Sequence, residues 1–205
     1  MSRLSGQGKG PGPADGSRVR LIRAASRLMA RQGYEATVVK DIAREGAAPM
    51  GSFYYHFPGG KEQLGAAALR QGGAEVGELF AQAMAPHGQP AEAAAACATV
   101  LADRLAAASW RDGCPVATTA LETIGRSDAL QQAAAEAFDG WQRVIAEHLR
   151  RTGLPDRTAD ELAVSVLAMI EGAEMIARVQ ASRTPLDAAA AALRTLVGAA
   201  SPSGD

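Results

Sequence analysis

Aromatic residues are scarce in this chain of 205 residues, in which Phe, Tyr and Trp together make up only 4%. Hydrophobic residues as a whole reach 47%, so a large core must be built from Ala, Leu, Val, Ile and Met. Ala has the highest intrinsic helix propensity and occurs here in long runs. No segment alternates apolar and polar residues over the length of a strand, and the sequence therefore predicts an all-α fold without a sheet.

Cysteine is also scarce, since Cys97 and Cys114 are the only two. Two cysteines exclude a disulfide framework, their neighbours show no metal-ligand spacing, and we expect free thiols in a reducing cytoplasm. The N-terminus lacks the apolar core of a signal peptide, and no uncharged apolar run is long enough to cross a bilayer. We therefore expect a soluble, cytoplasmic protein that holds no metal and no cofactor and does not enter a membrane.

Charge is unevenly distributed along the chain. The first 70 residues hold eleven Lys and Arg against five Asp and Glu, whereas the remaining 135 hold ten against seventeen. A basic N-terminal third joined to an acidic remainder indicates an anionic partner for the first part only. The alternative is a chance excess of solvated arginines.

Glycine and proline divide the N-terminal part into short segments. Residues 1–16 are rich in both and predict a disordered arm. Ser17 is a candidate cap for a first helix that runs to Gln32, where Gly33 can end it in the left-handed conformation. Arginines recur at spacings of three and four on this helix and form a basic stripe beside its apolar face.

Two further short helices are predicted directly after the first. Thr37 is a candidate cap for a helix over 38–45, and Pro49 suits the first turn of a helix over 49–56. The connector between them, Gly46-Ala47-Ala48, has three residues and contains glycine. Two short helices joined in this way are the sequence signature of a helix-turn-helix, so we predict a DNA-binding domain over 17–60.

Long helical patterns occupy the rest of the chain, which we assign to a second domain over 61–200. Their breaks coincide with Pro or Gly in most cases. The predicted helices are 61–84, 90–109, 115–125, 128–151, 158–182 and 184–197.

The third predicted helix carries the residues most suited to contact DNA. Phe53 and Phe57 are four apart and should be buried on one face. Ser52, Tyr54, Tyr55 and His56 occupy the remaining faces, where hydroxyl and imidazole groups can reach phosphates and base edges. Lys61, at the start of the next helix, adds a cation. In the alternative the aromatic residues only fill a small core; we expect this for Phe53 and Phe57, expect DNA contact for Tyr55 and His56, and leave Tyr54 open.

The stretch over 18–64, RVRLIRAASRLMARQGYEATVVKDIAREGAAPMGSFYYHFPGGKEQL, resembles the TetR family of bacterial regulators. The ordered set AASRLMARQGYEAT, VVKDIA, GSFYYHF and KEQL carries this resemblance. Two further segments, PGGKEQL and Gly113-Cys114-Pro115-Val116-Ala117 leading to Leu121-Glu122, resemble the LmrA/YxaF-type subgroup.

The resemblance implies a homodimer that places two recognition helices on a palindromic operator in double-stranded DNA. It implies that Thr37 caps the second helix and touches a phosphate, and that Lys61 binds a phosphate. Met50 departs from the family because Lys or Arg is common there, and Ala47 stands where many members have the turn glycine, a role we expect Gly46 to take. The predicted DNA-binding residues are Thr37, Lys40, Ser52, Tyr54, Tyr55, His56 and Lys61.

The resemblance also implies a small-molecule effector, hydrophobic or aromatic, that binds the C-terminal domain and releases the DNA. Core packing is the alternative for every large side chain of that domain. Glu171 and Glu174 lie one turn apart and admit three interpretations: acid–base catalysis, pairing of Glu174 with Arg178, or Glu171 as the polar group of a ligand cavity. The candidate ligand-binding residues are Phe80, Met84, Trp110, Phe138, Trp141, Met169 and Glu171.

The last two predicted helices have wide apolar stripes that two subunits could join in a four-helix bundle. Burial within the monomer is the alternative. The candidate interface residues are Val166, Ile170, Ala173, Leu186, Ala190, Leu193, Leu196 and Val197. We expect a ligand-responsive repressor and not an enzyme, because no catalytic motif is present; an effector-independent DNA-binding regulator and an all-helical enzyme remain the alternatives.

Overall fold

The computed structural model describes residues 13–201, and within them the chain forms nine α-helices and no strand. The predicted all-α fold is confirmed, and no helix in this range is both long and apolar enough to cross a membrane. The first twelve residues of the predicted arm lie outside the described residues. The helices are α1 (Pro13–Gln32), α2 (Val39–Glu45), α3 (Met50–His56), α4 (Gly60–Met84), α5 (Pro90–Ala107), α6 (Pro115–Thr123), α7 (Asp128–Arg151), α8 (Asp156–Gln180) and α9 (Thr184–Ala200).

The sequence signals for helix ends hold at most boundaries. Pro90 and Pro115 each occupy the first turn of a helix, where the missing N–H costs nothing. The Ser127 hydroxyl caps α7 by accepting a hydrogen bond from the Leu130 N–H, at 3.2 Å. Gly33 follows α1 with φ +82°, the left-handed conformation that glycine adopts without strain.

Helix α1 begins earlier than predicted. It starts at Pro13, so Ser17 lies inside the helix and the prediction that Ser17 caps it is wrong. The Ser17 side chain is buried and its Oγ lies 3.0 Å from Nε2 of His56. The first turns of α1 therefore hold the end of α3.

The connector between α2 and α3 differs from the predicted one. Gly46 has φ −79° and Ala47 has φ +45°, so Ala47 itself adopts the left-handed conformation and the expectation for Gly46 is wrong. Gly46 is needed for another reason, because a Cβ there would lie 3.2 Å from the backbone oxygen of Arg20. The Arg20 guanidinium donates to the carbonyls of Gly46 and Ala47 at 3.0 and 3.4 Å and fixes the turn.

The apolar stripes of the last two helices face into the subunit. Seven of the eight candidate interface residues are buried by α5, α7 and the α8–α9 contact, whereas Leu196 is 39% exposed. A side chain already covered within one subunit cannot contact a second copy, so the prediction is wrong for these seven. They are Val166, Ile170, Ala173, Leu186, Ala190, Leu193 and Val197.

Helices α4 and α7 form the most extensive helix pair of the described fold. At their closest approach a Cβ added to Gly73 would lie 2.7 Å from the Cβ of Ala137. Beside this point the indole N–H of Trp141 donates to the Gly73 carbonyl at 2.6 Å. Glycine at this position therefore sets the spacing of the two helices.

Replacement of Gly73 by Ala should lower the free energy of unfolding by roughly 1 to 3 kcal/mol, because neither Cβ can move without its helix backbone. Gly77→Ala, one turn along α4, is the matched control. Its Cβ would meet only Trp141 Cδ1, at 3.5 Å, so the better helix propensity of Ala should leave stability unchanged or raise it by up to about 1 kcal/mol. Urea denaturation of both variants measures the difference, and equal effects would contradict the steric argument.

Candidate DNA interface and ligand cavity

Helix α3 buries one face and exposes the other. Phe53 and Phe57 are 2% and 1% exposed, and their rings stack with centroids 6.1 Å apart. This confirms the predicted core role of both residues. Because they fix the inward face, Tyr54 and Tyr55 point outwards and are 66% and 77% exposed. An exposed tyrosine places both an apolar ring and a hydroxyl group in contact with water. This combination is typical of a surface that binds a partner.

The other two polar residues of α3 are only half-buried. His56 contacts Ser17 through Nε2, and its ring packs edge-on against Tyr55 with centroids 4.9 Å apart. The structure thus gives His56 a partner within the chain. Ser52 is likewise partly covered.

Thr37 does not have the predicted role. Its side chain is fully buried, and its hydroxyl donates to the Gly33 carbonyl at 2.6 Å. The cap position of α2 is instead occupied by Val38, whose side chain makes no capping hydrogen bond. Both the predicted cap and the predicted phosphate contact of Thr37 are therefore wrong, because the turn from Gly33 to Thr37 uses the hydroxyl internally.

The two lysines of the predicted interface differ in their surroundings. Lys40 is exposed on α2. Lys61 is half-buried, with Nζ 4.1 Å from the centre of the Tyr34 ring and 3.4 Å from the Glu35 carbonyl, to which it donates. Lys61 therefore joins the start of α4 to the segment before α2.

Most of the basic stripe of α1 is occupied within the chain. Arg20 fixes the α2–α3 turn, Arg27 pairs with Glu45 at 3.2 Å, and Arg31 pairs with Asp112 at 2.9 Å. Much of the N-terminal charge that indicated an anionic partner thus organises the fold.

A cavity of about 680 Å³ lies between α6 and α8, beside the segment that leads from α5 to α6. Trp110 and Glu171, two of the seven candidate ligand-binding residues, line it. The lining residues that sequence reasoning did not assign to a ligand site are Cys114, Ala117, Thr118, Leu121, Gly172, Glu174, Met175, Arg178 and Val179. The lining residues between 114 and 121 share one face of their segment, and those around Glu171 share one face of α8. The sequence shows each spacing, but only the fold shows that the two faces meet.

The other five candidates do not line this cavity. Phe80, Met84 and Trp141 are fully buried in the core, where Phe80 and Trp141 pack edge-to-face with centroids 6.1 Å apart. Phe138 packs against Trp141 in the same way, at 5.2 Å, and Met169 is a half-buried residue against the core. These five residues do not belong to this cavity, because the aromatic cluster lies at the α4–α7 contact on another side of the molecule. Trp141 lines a separate cavity there, of about 410 Å³.

Two carboxyl groups on α8 face the cavity. Glu174 is buried and Glu171 is half-buried. Burial raises the pKa of Glu171 to about 8, helped by the nearby Glu174 charge, and burial raises the pKa of Glu174 to about 6. Among the described residues no ion pair joins Glu174 to Arg178, whose guanidinium donates to the Arg111 carbonyl at 3.3 Å. The Arg178 charge still lowers the pKa of Glu174, so the two residues interact through their charges without a direct contact.

The residues around the cavity give little support to nucleophilic catalysis by a thiol or to a metal site. Burial raises the pKa of the Cys114 thiol well above its ordinary value, which disfavours the nucleophilic thiolate. No cluster of three or more potential metal ligands occurs within residues 13–201.

Helix α6 connects this cavity to the first three helices. Its Glu122 carboxylate accepts a hydrogen bond from the Glu35 N–H at 3.0 Å and occupies the space that a side chain on Gly33 would fill. Arg126, just after α6, pairs with Glu35 at 3.4 Å. At the other end of α6 the Gly113 N–H donates to the Ala30 carbonyl at 3.1 Å. The wall of the cavity is thus bonded at both ends to the segment from the end of α1 to α2.

Two family models match the chain. The model of bacterial regulatory proteins of the tetR family matches residues 21–68, and the C-terminal domain model of LmrA/YxaF-like transcriptional regulators matches residues 90–192. The HTH-type transcriptional regulator LmrA of Bacillus subtilis is 38% identical over 170 residues, which are 83% of this chain and 90% of that protein. An HTH-type transcriptional regulator of Mycobacterium tuberculosis, Rv0196, is 33% identical over 91% of this chain and 97% of its own.

Solved structures show the same architecture. A TetR transcriptional regulator from Chloroflexus aurantiacus superposes with a TM-score of 0.74 at 29% identity, over 90% of this chain and 96% of that one. The regulatory protein TetR from Rhodobacter sphaeroides reaches a TM-score of 0.76 at 24% identity, over 87% and 97%. The chain therefore belongs to the TetR family of bacterial transcriptional regulators and has a C-terminal domain of the LmrA/YxaF-like type.

Proposed function

We propose that this regulator is a ligand-responsive repressor that binds a palindromic operator as a homodimer in the cytoplasm. Its effector, a small molecule with a hydrophobic or aromatic body, enters the cavity between α6 and α8. The exposed Tyr54 and Tyr55 on α3, held in place by the buried Phe53 and Phe57, are the observation that carries DNA binding. A mobility-shift assay with DNA from upstream of its own gene tests it, and binding should weaken steeply with added salt.

In this proposal the predicted DNA-binding residues have different roles. Tyr54, Tyr55 and Lys40 are free of the core and form the contacting surface, with Ser52 at its edge. His56 positions α3 through Ser17, and Lys61 positions α4 through Tyr34. Thr37 has no part in the surface because it is buried.

The cavity favours a ligand-responsive regulator over the alternative of a regulator that needs no effector. A volume of about 680 Å³ is within the range of sites for drug-sized ligands, and apolar side chains with a few polar groups line it, as such sites require. An effector-independent protein has no need of this space. The two carboxyl groups alone do not favour an enzyme, since the thiol beside them, Cys114, is held in its neutral form by burial and is a poor nucleophile.

The link from effector to DNA runs through α6 in this proposal. A ligand against Ala117, Thr118 or Leu121 presses on one face of α6, while Glu122 on another face holds the turn before α2. Displacement of α6 would therefore move α2 and α3 relative to α4. The ligand favours the displaced state only by the difference of its affinity for the two conformations.

The outward faces of α8 and α9 supply the dimer interface. Val164 and Ile176 are 51% and 43% exposed on α8, and Leu196 of α9 is also exposed. An apolar surface of this kind on a soluble protein marks an interaction site. A pair of such faces related by a two-fold axis gives the closed dimer that a palindromic operator requires.

Tyr55→Ala should weaken operator binding by about 1 to 3 kcal/mol, which is roughly 5- to 150-fold, because it removes the ring and the hydroxyl from the contacting surface. The melting temperature should stay within a few degrees, since the side chain is 77% exposed. Tyr55→Phe serves as the matched variant that removes only the hydroxyl. Unchanged affinity of the alanine variant in fluorescence anisotropy would remove Tyr55 from the interface.

Glu122→Ala should loosen the segment before α2, because the Glu35 N–H loses a charged acceptor worth about 1 to 3 kcal/mol. We expect faster hydrogen exchange at residues 33–38 and weaker operator binding. Glu147→Ala, an exposed carboxylate on α7, is the control and should change neither. Normal exchange at these amides in the Glu122 variant would show that α6 does not hold this turn.

Ile176→Glu should convert the dimer to a monomer, because it places a charge in the centre of the exposed apolar face of α8. Operator affinity should also fall, by about tenfold or more, because each monomer then binds a single half-site without the gain from a linked second contact. Analytical ultracentrifugation reports the mass, with Gln131→Glu on the exposed side of α7 as the control. A dimer of unchanged stability in the Ile176 variant would place the interface elsewhere.

A further inference from the structure

We propose that the cavity between α6 and α8 selects ligands in which an apolar body carries one positively charged nitrogen, bound by Glu171 and Glu174. This rests on the proposed function, in which the same cavity receives the effector, and it adds the chemical class of that effector. The juxtaposition that carries it is a pair of inward carboxyl groups within an otherwise largely apolar wall.

The apolar part of the wall suits a flat or bulky hydrocarbon body. Trp110, Leu121, Met175 and Val179 line the cavity, and the last three are more than half exposed in the absence of a ligand. Covering such surfaces stabilises a complex by roughly 25 cal/mol per Å² buried. The Trp110 ring also offers a π face to which a cation is attracted.

The polar part of the wall holds two carboxyl groups and the guanidinium of Arg178. Glu171 and Glu174 lie one turn apart on α8, and neither forms an ion pair among the described residues. The neighbouring Asp112 is already paired with Arg31. One buried and one half-buried carboxyl group without an ion-pair partner are costly in a largely apolar wall, and a ligand cation supplies the partner.

Two arginines lie near this pair and offset part of its charge, but neither forms an ion pair with it among the described residues. Arg178 lines the cavity but donates to the Arg111 carbonyl, and Arg104 approaches from α5 beside the narrow inner end of the site. Their charges lower the pKa of Glu174, against the larger effect of burial. Cys114 faces the same carboxyl groups from α6 and is a neutral thiol, since burial raises its pKa.

The protonation of the pair matches a ligand with a single positive charge. With pKa values of about 8 for Glu171 and about 6 for Glu174, the two groups together carry about one negative charge near neutral pH. An anionic ligand would be repelled by the ionised carboxylate. A neutral ligand would satisfy hydrogen bonds only, and would leave the ionised carboxylate without a counter-charge.

Proton linkage follows from this arrangement. A bound ammonium group favours the ionised form of Glu171, so its binding releases a proton from the carboxyl groups. The affinity for a cation should therefore rise as the pH increases from about 6 to about 8, and level off once Glu171 is ionised in the free protein. A neutral ligand of the same shape should show no such rise.

Three probes of nearly equal shape test the charge preference on the full chain: 1-naphthylmethylamine, 1-naphthalenemethanol and 1-naphthoate. By isothermal titration calorimetry at pH 7.5 the amine should bind at least about tenfold more tightly than the alcohol, and the naphthoate most weakly. The Glu171→Gln, Glu174→Gln double variant should remove this advantage and leave the alcohol within about twofold. Glu147→Gln on α7 is the matched control and should behave as the parent protein.

The outcomes separate this inference from the proposed function. Equal or tighter binding of the alcohol or the naphthoate overturns the charge preference and leaves a sensor of another ligand class. Binding of none of the three probes overturns the cavity as a ligand site, and with it the inference. Charge-selective binding without release from DNA upholds the cation site and contradicts the sensor role. A pH-independent affinity for the amine between pH 6 and 8 would exclude the carboxyl pair as its partner, even if the double variant failed to fold.

Discussion

The close approach of α4 to α7 at Gly73 is the constraint on which the other features depend. Helix α4 begins directly after α3, and its inward face is fixed by Ala137 and by the hydrogen bond from Trp141. The position of α3 is therefore set from the C-terminal domain as well as from α1. Rigidity at this point suits a DNA-binding regulator, because base contacts tolerate little displacement of the helix that makes them.

Charge has three separate uses in this molecule. Three arginines of α1 bind other parts of the chain. Arg20 holds the turn before α3, Arg27 pairs with α2, and Arg31 pairs with the segment between α5 and α6. In the proposed DNA interface tyrosine therefore contributes more of the surface than arginine. The acidic pair on α8 stands apart from both, in a cavity whose other wall, α6, is bonded to the segment before α2.

Prediction from sequence succeeded where the cause is local. The burial of Phe53 and Phe57 and the exposure of Tyr55 follow from their spacing on one short helix, and the proline and glycine signals fix most helix ends. It was wrong where a side chain had two possible partners. Thr37 bonds backwards to Gly33 instead of capping α2, because the turn between them brings that carbonyl within reach.

The sequence by itself determined the fold class, the family and the outward face of the recognition helix, since helix propensity, periodicity and capping act over a few residues. Only the tertiary structure decided which apolar stripes are internal. An apolar face on α8 or α9 has the same pattern whether α5 and α7 or a second subunit covers it. The cavity was decided in the same way, because its walls come from helices about fifty residues apart in sequence, and no local pattern specifies that Glu171 of one lies beside Cys114 of the other.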